Sequence, residues 1–498
     1  MAATAKVPLR PTFASLLSPF GVAAPPVPLT GLQADSRRIE SGNLFLACAG
    51  IGHHGLAYLD QAEAAGAAAI AWEPADGVTA PVTRLPAVAV PDLSRLAGCM
   101  ASRWYGNPSE QLFTVGITGT DGKTSIAYLL SQALDAVGIA CGYVGTLGSG
   151  RVGSLADAQL TTPAPVDLQA TLADLVAGGA KAAALEVSSI GLHQSRVAGV
   201  SFDAAVLSNI GRDHLDYHGD LAAYVAAKRT LFDAPGLRTR IMNRDDAYGR
   251  AWAHECAASN GCIVYGIGGQ ASLPGRYVLA KGHESGPRGL RIDIDSSWGR
   301  GQLQSRLLGS FNVHNLLAVL AVLLAREVRL GDALDALGSL RTVPGRMEAF
   351  RRADGALLVV DYAHTPQALS AVLSAARAHA SRRLIVVFGC GGDRDRGKRA
   401  LMGQAAAAAD LAIVTSDNPR SEPPEAIIAE VMQGVPSATP SEAIGDRRAA
   451  IERAASLASN GDVVVIAGKG HEDYQLIGDR CLPFSDRALA SQLAGTDA

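Results

Sequence analysis

Short apolar runs recur along the chain, most followed by a glycine-rich or charged turn and a stretch with apolar residues at helical spacing. The first runs, at 43–47, 67–72 and 87–90, lie among helical stretches and predict a small α/β unit. That unit closes at Trp104-Tyr105-Gly106-Asn107-Pro108, where the Asn-Pro pair marks a linker. From Phe113 the rhythm becomes strand, Gly-rich turn and long amphipathic helix, with further strands predicted at 182–187 and 204–207. Such alternation predicts a parallel sheet flanked by helices. Residues 261–309 are rich in Gly and Ser and alternate, as in Leu290-Arg291-Ile292-Asp293-Ile294, which predicts an antiparallel excursion attached to the middle domain. Beyond Thr342-Val343-Pro344-Gly345-Arg346 a second alternating series predicts strands at 357–360, 384–388, 411–415 and 463–467. The fold class is therefore α/β in three domains, 1–107, 108–340 and 341–498, the last with a Rossmann-like rhythm.

Composition narrows the field. At about 150 residues per domain, 498 residues suit three domains with separate cores. Against 47 Asp+Glu there are 44 Lys+Arg, a net charge of −3, without the global basic footprint of a nucleic-acid or acidic-membrane binder. Any nucleotide must meet a local site. The seven cysteines are scattered, with no C-x2-C pair, so neither a zinc ribbon nor a disulfide framework is expected, and a reducing cytosol is. Prolines at 8, 11, 19, 25, 26 and 28 interrupt the N-terminal stretch, leaving no apolar signal region. No uninterrupted apolar run is long enough to span a bilayer. The expectation is a soluble, cytoplasmic monomer acting on small molecules.

The strongest chemical signal is residues 116–125, Gly-Ile-Thr-Gly-Thr-Asp-Gly-Lys-Thr-Ser, after a predicted strand and before a helix. In such a loop backbone N–H groups turn onto phosphate oxygens, Lys123 neutralises the β/γ-phosphates, and Thr124 can ligate Mg²⁺. The strict G-x4-G-K-[ST] pattern is broken, because Ile117 stands where its first Gly belongs. ATP or GTP is the expected ligand, with Mg²⁺.

Glu186 ends the apolar run from Ala182, where open α/β sheets place their ligands; it serves there as a second Mg²⁺ ligand or as a satisfied strand-end cap. Residues 208–219 hold Asp213, His214, Asp216 and His218 just beyond another strand, fit to bind metal, to manage protons or merely to form a polar loop. Lys228 lies in a helical stretch and reads, on composition alone, as an exposed surface lysine. In the third domain three charged turns follow three strands: 389–399 with Arg394, Asp417-Asn418-Pro419-Arg420, and Gly468-Lys469-Gly470-His471-Glu472. Together they predict a crevice that reads both carboxylate and ammonium groups.

These motifs resemble those of the Mur ligases, specifically their diaminopimelate-adding branch, almost end to end. The carriers are Asp35-Ser36-Arg37, the phosphate loop, Thr161-Thr162-Pro163, Glu186-Val187-Ser188-Ser189, residues 213–219, Asn312-Val313-His314-Asn315, Gly345-Arg346-Met347-Glu348, residues 361–366 and the three turns. The resemblance implies that Gly119, Thr120, Asp121, Gly122, Lys123, Thr124 and Ser125 hold ATP, and that Asn315, Arg346 and Asp361 contact the nucleotide. It implies that Thr124, Glu186 and His214 serve the Mg²⁺ centre and that Lys228 carries a carbamate, against its surface reading. Ser36, His53 and His54 match positions near a uridine nucleotide, and Thr161, Thr162, Ser188, Gln194 and Arg196 match positions along a muramoyl-peptide. Arg394, Asp417, Asn418, Pro419, Arg420, Gly468 and Glu472 match the site of an incoming diamino acid.

The implied activity is ATP-dependent addition of meso-2,6-diaminopimelate to the D-glutamate of UDP-N-acetylmuramoyl-L-alanyl-D-glutamate, in peptidoglycan precursor synthesis, with third-domain closure assembling the site. Asp121, Ser125, Leu160 and Ile190 depart from the usual family residues. A lysine-adding Mur ligase and a folylpolyglutamate synthase-like ligase are the alternatives. A non-catalytic nucleotide switch gives no reason for the three acceptor-reading turns.

Overall fold

The computed structural model describes residues 11–50, 52–256, 261–269, 275–286 and 289–495. It comprises two compact units, Met1–Ile263 and Val264–Ala498. The start of the proline-interrupted stretch and parts of the 261–309 excursion lie outside the described residues.

In the first unit, strands β1 (Gly31–Gln33), β2 (Asn43–Ala47), β3 (Ala69–Trp72) and β4 (Ala87–Ala89) form a parallel sheet in that order. Leu32, Leu44, Leu46 and Ala69 pack with Phe13, Leu16, Leu17 and Met100 into one core. Strands β5 (Phe113–Thr118), β6 (Cys141–Gly145), β7 (Gly148–Arg151), β8 (Ser154–Ala156), β9 (Ala182–Glu186), β10 (Ala204–Leu207) and β11 (Thr239–Asn243) follow. They run in the order β11-β10-β5-β9-β6-β7-β8. The pairs from β11 to β6 are parallel, and β7 and β8 close the edge antiparallel. Every residue of β9 and β10 is buried, as expected of strands covered on both faces, which is why they read as unbroken apolar runs. With β5 between β9 and β10, the connections leave it on opposite sides, so a ligand crevice opens beyond its carboxyl end.

The division between the units falls within β12 (Cys262–Ile267). In the second unit β13 (Arg276–Gly286), β14 (Gly289–Ser296) and β15 (Gly299–Ser305) form the antiparallel meander that the alternating sequence predicts. Then come β16 (Glu348–Arg351), β17 (Leu357–Asp361), β18 (Leu384–Phe388), β19 (Leu411–Val414), β20 (Ser441–Ala443) and β21 (Val463–Ala467). Their order is β16-β17-β21-β18-β19-β20, all parallel except β16 against β17. The carboxyl ends of β21, β18 and β19 are therefore neighbours, and each leads into one of the three charged turns.

Candidate nucleotide and acceptor sites

The phosphate loop leaves β5 at Gly119, whose φ is +149°. A Cβ there would stand 1.8 Å from Ser208 Oγ, so only glycine fits. Gly122, at φ +83°, turns the chain into the helix Lys123–Ala136, whose first amides carry no side-chain cap. Residues 208–211 brace the loop. Thr120 N donates to Asn209 O (2.9 Å), Asp121 N to Asn209 Oδ1 (2.9 Å) and Gly211 N to Thr120 Oγ1 (2.8 Å). Lys123 Nζ donates to the carbonyls of Gly119 (2.9 Å) and Thr120 (2.8 Å), holding its ammonium over the loop. Asp121 is exposed, so the extra carboxylate of this loop meets water. The unfilled N-terminal amides, glycine turns and positioned lysine form an anion cradle.

Glu186 lies at the end of β9, next to β5, and is 1 % exposed. Its Oε1 accepts from Thr146 N (2.9 Å) and from the Tyr143 hydroxyl; its Oε2 accepts from Thr124 Oγ1 (2.8 Å) and Thr146 Oγ1 (3.2 Å). Burial and the neighbouring Glu186 hold the Tyr143 hydroxyl far above its usual range, so it stays a donor. Gly145 has no room for a side chain, since a Cβ would lie 2.1 Å from Glu186 Oε1. Thr124 and Glu186 thus place two hard oxygen donors side by side at the edge of the cradle, the donor chemistry that Mg²⁺ prefers. His214 is not joined to them: it is exposed at φ +52°, with its Nε2 3.4 Å from Asp213 Oδ2. Among the described residues no three His, Cys, Asp or Glu side chains group closely enough to hold a metal.

Lys228 departs most from its composition-based reading. It lies on the inward face of the helix Leu221–Arg229, with Tyr224 and Ala227, and is 1 % exposed. Its Nζ donates to Gly119 O (2.7 Å) and sits 4.5 Å from the centre of the Tyr224 ring, whose hydroxyl bonds Thr120 Oγ1 (2.8 Å). Burial first, and the Lys123 charge second, push its amine down to about 6. A surface lysine would pay no such penalty. Three neighbours went unnoticed in the sequence, Tyr143, Thr146 and Tyr224, because a lone tyrosine or threonine carries no motif.

Beside this centre, Thr162 Oγ1 donates to Glu186 O (2.9 Å) and accepts from Ser188 N (3.0 Å). Arg196 donates to Thr162 O (3.0 Å) and Gln194 Oε1 (2.6 Å), and Thr161 Oγ1 meets Thr146 Oγ1 (3.1 Å). The structure therefore brings Thr161, Thr162, Ser188, Gln194 and Arg196 into one network with Glu186. Tyr217 joins it, accepting from Gln194 Nε2 at 3.0 Å. Between β1 and β2 Ser36 donates to Gln61 Oε1 (2.8 Å), and beyond β2 His53 is exposed. His54 serves the fold with both ring nitrogens: Nδ1 accepts from Leu56 N (3.1 Å), so Nε2 donates to Glu73 O (2.8 Å). A cavity of about 710 Å³ lies nearby, walled by Gln33, Arg37, Glu40 and Trp104 among others, but Ser36, His53 and His54 do not line it.

In the second unit Asp361 ends β17 and uses both oxygens within the fold, accepting from Met347 N and Ala363 N at 2.8 Å each. Burial raises its carboxyl above the usual range. The Arg346 guanidinium stacks 4.8 Å from the Tyr362 ring, and Asn315 Nδ2 donates to Asn312 Oδ1 (2.8 Å). At the three turns, Asn418 Nδ2 donates to Glu472 Oε2 (3.0 Å), and Arg420, at φ +52°, donates to Gly392 O (2.8 Å). Gly468 closes against Asp417, whose Oδ2 would be 2.5 Å from a Cβ there. Arg394 is exposed on the turn after β18. Behind the turns lies the fully buried pair Arg447–Asp486 (2.7 Å). Arg447 also donates to Ala467 O (3.0 Å) and Ser416 O (3.3 Å), tying the ends of β21 and β19 across β18. Neither member of that pair was legible in the sequence, where both look like surface charges on helices.

The chain matches three family descriptions: "Mur ligase family, catalytic domain" over residues 28–105, "Mur ligase middle domain" over 117–323, and "Mur ligase, glutamate ligase domain" over 345–470. The chain belongs to the Mur ligase family. Among curated Mur ligases, the UDP-N-acetylmuramoyl-L-alanyl-D-glutamate--2,6-diaminopimelate ligase of Alkalilimnicola ehrlichii is 49% identical over 94% of this chain and 95% of its own length. The enzyme of the same name from Pseudomonas aeruginosa is 46% identical over 92% and 95%. A solved Mur ligase structure with that name matches at 37% identity and a TM-score of 0.72, covering 94% of this chain and 95% of its own.

Proposed function

We propose that this Mur ligase is an ATP-dependent amide ligase that joins meso-2,6-diaminopimelate to the D-glutamate γ-carboxylate of UDP-N-acetylmuramoyl-L-alanyl-D-glutamate. The observation that carries the proposal is the meeting of the three charged turns, where Asn418 bonds Glu472 of the turn after β21 and Arg420 donates to Gly392 O of the turn after β18. It stands in a chain 49% identical to a relative named for that reaction. A zwitterion with two carboxylates and two amines needs both signs in one crevice.

A carboxylate does not condense with an amine in water, so ATP first phosphorylates the γ-carboxylate. The cradle of residues 119–125 holds the ATP phosphates, and Lys123 offsets charge on the transferring group. Thr124 and Glu186 would hold Mg²⁺, with His214 and a modified Lys228 as the further ligands. When bound, the ion neutralises phosphate charge. The acceptor amine then attacks the acyl phosphate carbon, the C–N bond forms, phosphate leaves and the amine gives up a proton. Lys228, neutral near physiological pH because of its burial, has a free electron pair to attack CO2. The N–C bond forms as one C–O π bond of CO2 opens, one proton is released, and a neutral amine becomes an anionic oxygen ligand. No helix among the described residues is long and apolar enough to cross a membrane, and we place the reaction in the cytoplasm, on a monomer.

Phosphate release by the purified protein with ATP and the UDP-muramoyl dipeptide tests the proposal, comparing meso-diaminopimelate, L-lysine and no acceptor. Release that depends on meso-diaminopimelate is expected. Preference for L-lysine would overturn the acceptor assignment, and turnover only with folates would overturn the substrate class.

A further inference from the structure

Lys469 lies in the turn after β21, and its side chain is 0 % exposed. Its ammonium does not point at solvent or at a distant acid. Nζ donates to Asn418 Oδ1 (3.1 Å) and to Glu472 Oε2 (3.0 Å), and stands 5.4 Å from the Tyr474 ring centre. Both hydrogen-bond partners are residues assigned to the acceptor crevice. They reach it from different turns, one after β19 and one after β21, with β18 between.

The consequence concerns the Asn418 amide. Its Oδ1 accepts from Lys469 Nζ and from Leu476 N (2.9 Å), while its Nδ2 donates to Glu472 Oε2 (3.0 Å). Rotating the amide by half a turn would set NH2 against two donors and a carbonyl oxygen against a carboxylate. All three contacts would become repulsive, so the orientation has one solution. One Nδ2 hydrogen is spent on Glu472, leaving one to give. Asn418 can then read an acceptor atom on the ligand, a carboxylate oxygen, and not an ammonium. Glu472 is held from the other side: its Oε2 takes both Lys469 and Asn418, while Oε1 has no hydrogen bond among the described residues. That oxygen is the one offered to an ammonium group.

We infer that Lys469 is a positioning residue for the acceptor: it locks Asn418 as a carboxylate donor and turns one Glu472 oxygen toward an amine. Lys469 acts through these two side chains and does not itself touch the ligand. The inference rests on the acceptor crevice proposed above and adds which group of the amino acid each side chain takes.

Steady-state kinetics of Lys469→Met and Lys469→Arg in the full chain provide the test. In Lys469→Met, KM for meso-diaminopimelate is expected to rise about tenfold or more, the scale of one lost charge-assisted hydrogen bond. KM for ATP and for the UDP-muramoyl dipeptide should stay within about twofold, a split that general destabilisation does not produce. The double variant Asn418→Ala/Lys469→Met should lose less acceptor affinity than the sum of the two single variants, because part of the lysine's effect passes through Asn418 and the rest through Glu472. A folded Lys469 variant with an unchanged acceptor KM, or strictly additive effects in the cycle, overturns the inference. If neither variant folds, a crystal structure of the unsubstituted protein with meso-diaminopimelate decides. Asn418 Nδ2 on a ligand carboxylate with Lys469 still on Oδ1 supports the inference, and Asn418 Oδ1 facing the ligand overturns it. If the unsubstituted protein uses a different amino acid, the functional reading fails separately, and the same kinetics with that amino acid still judge Lys469.

Discussion

Replacing Lys228 by methionine should stabilise the ligand-free protein while abolishing ligation. The buried amine titrates near 6 instead of 10.5, so between those values the unfolded chain holds a proton that the folded chain does not. Stability contributed by this group is therefore fully present above the unfolded value and is lost as pH falls toward the folded one. The penalty is about 1.4 kcal/mol per pH unit. It comes to roughly 2 kcal/mol at pH 9, roughly 4 at pH 7.5 and roughly 5 at pH 6.5. Against it stands the hydrogen bond to Gly119 O, worth about 1 kcal/mol. Lys228→Met should thus gain a net ~1 kcal/mol at pH 9, rising to ~4 at pH 6.5. Urea unfolding of both proteins across this range, in CO2-free buffer, measures the difference. A gain that stays flat or shrinks toward low pH would refute the assignment of a neutral buried amine. Added bicarbonate should stabilise the unsubstituted protein alone, because only it can convert the amine to a carbamate.

Three further outcomes follow from the same geometry. Gly119→Ala places a Cβ 1.8 Å from Ser208 Oγ at φ +149°, and should lose ATP binding in calorimetry along with about 2 kcal/mol or more of stability. Glu186→Gln keeps the shape but sets an amide NH2 against one of its hydrogen-bond donors. Phosphate release should fall by two orders of magnitude or more, about 3 kcal/mol in the barrier, and unchanged turnover would remove Glu186 from the metal centre. Arg447→Met leaves Asp486 buried without a partner, at a cost of about 3–5 kcal/mol in chemical denaturation, whereas Arg447→Met/Asp486→Leu should recover most of it.

Much of this protein was written in local patterns. The apolar runs at 204–207, 384–388 and 463–467 became strands with those bounds, because a strand buried on both faces must be apolar at nearly every position. The phosphate loop was legible because its glycines, lysine and threonine are contiguous and each has a separate physical task. The short strands Gly148–Arg151 and Ser154–Ala156 were invisible, since nothing apolar distinguishes them and only pairing with a neighbour makes them strands. Tertiary structure also decided the state of the charges. Lys228, Lys469 and Arg447 are ordinary cations in sequence, yet each is buried against partners from other elements: Gly119 for the first, Asn418 for the second, Asp486 for the third. The sequence determined which elements form and which loop builds the anion cradle, since those depend on neighbours along the chain. Which lysine is buried with a depressed pKa, and which way the Asn418 amide is turned, depends on solvent exclusion and on partners brought together across the sheet, and only the fold supplies those.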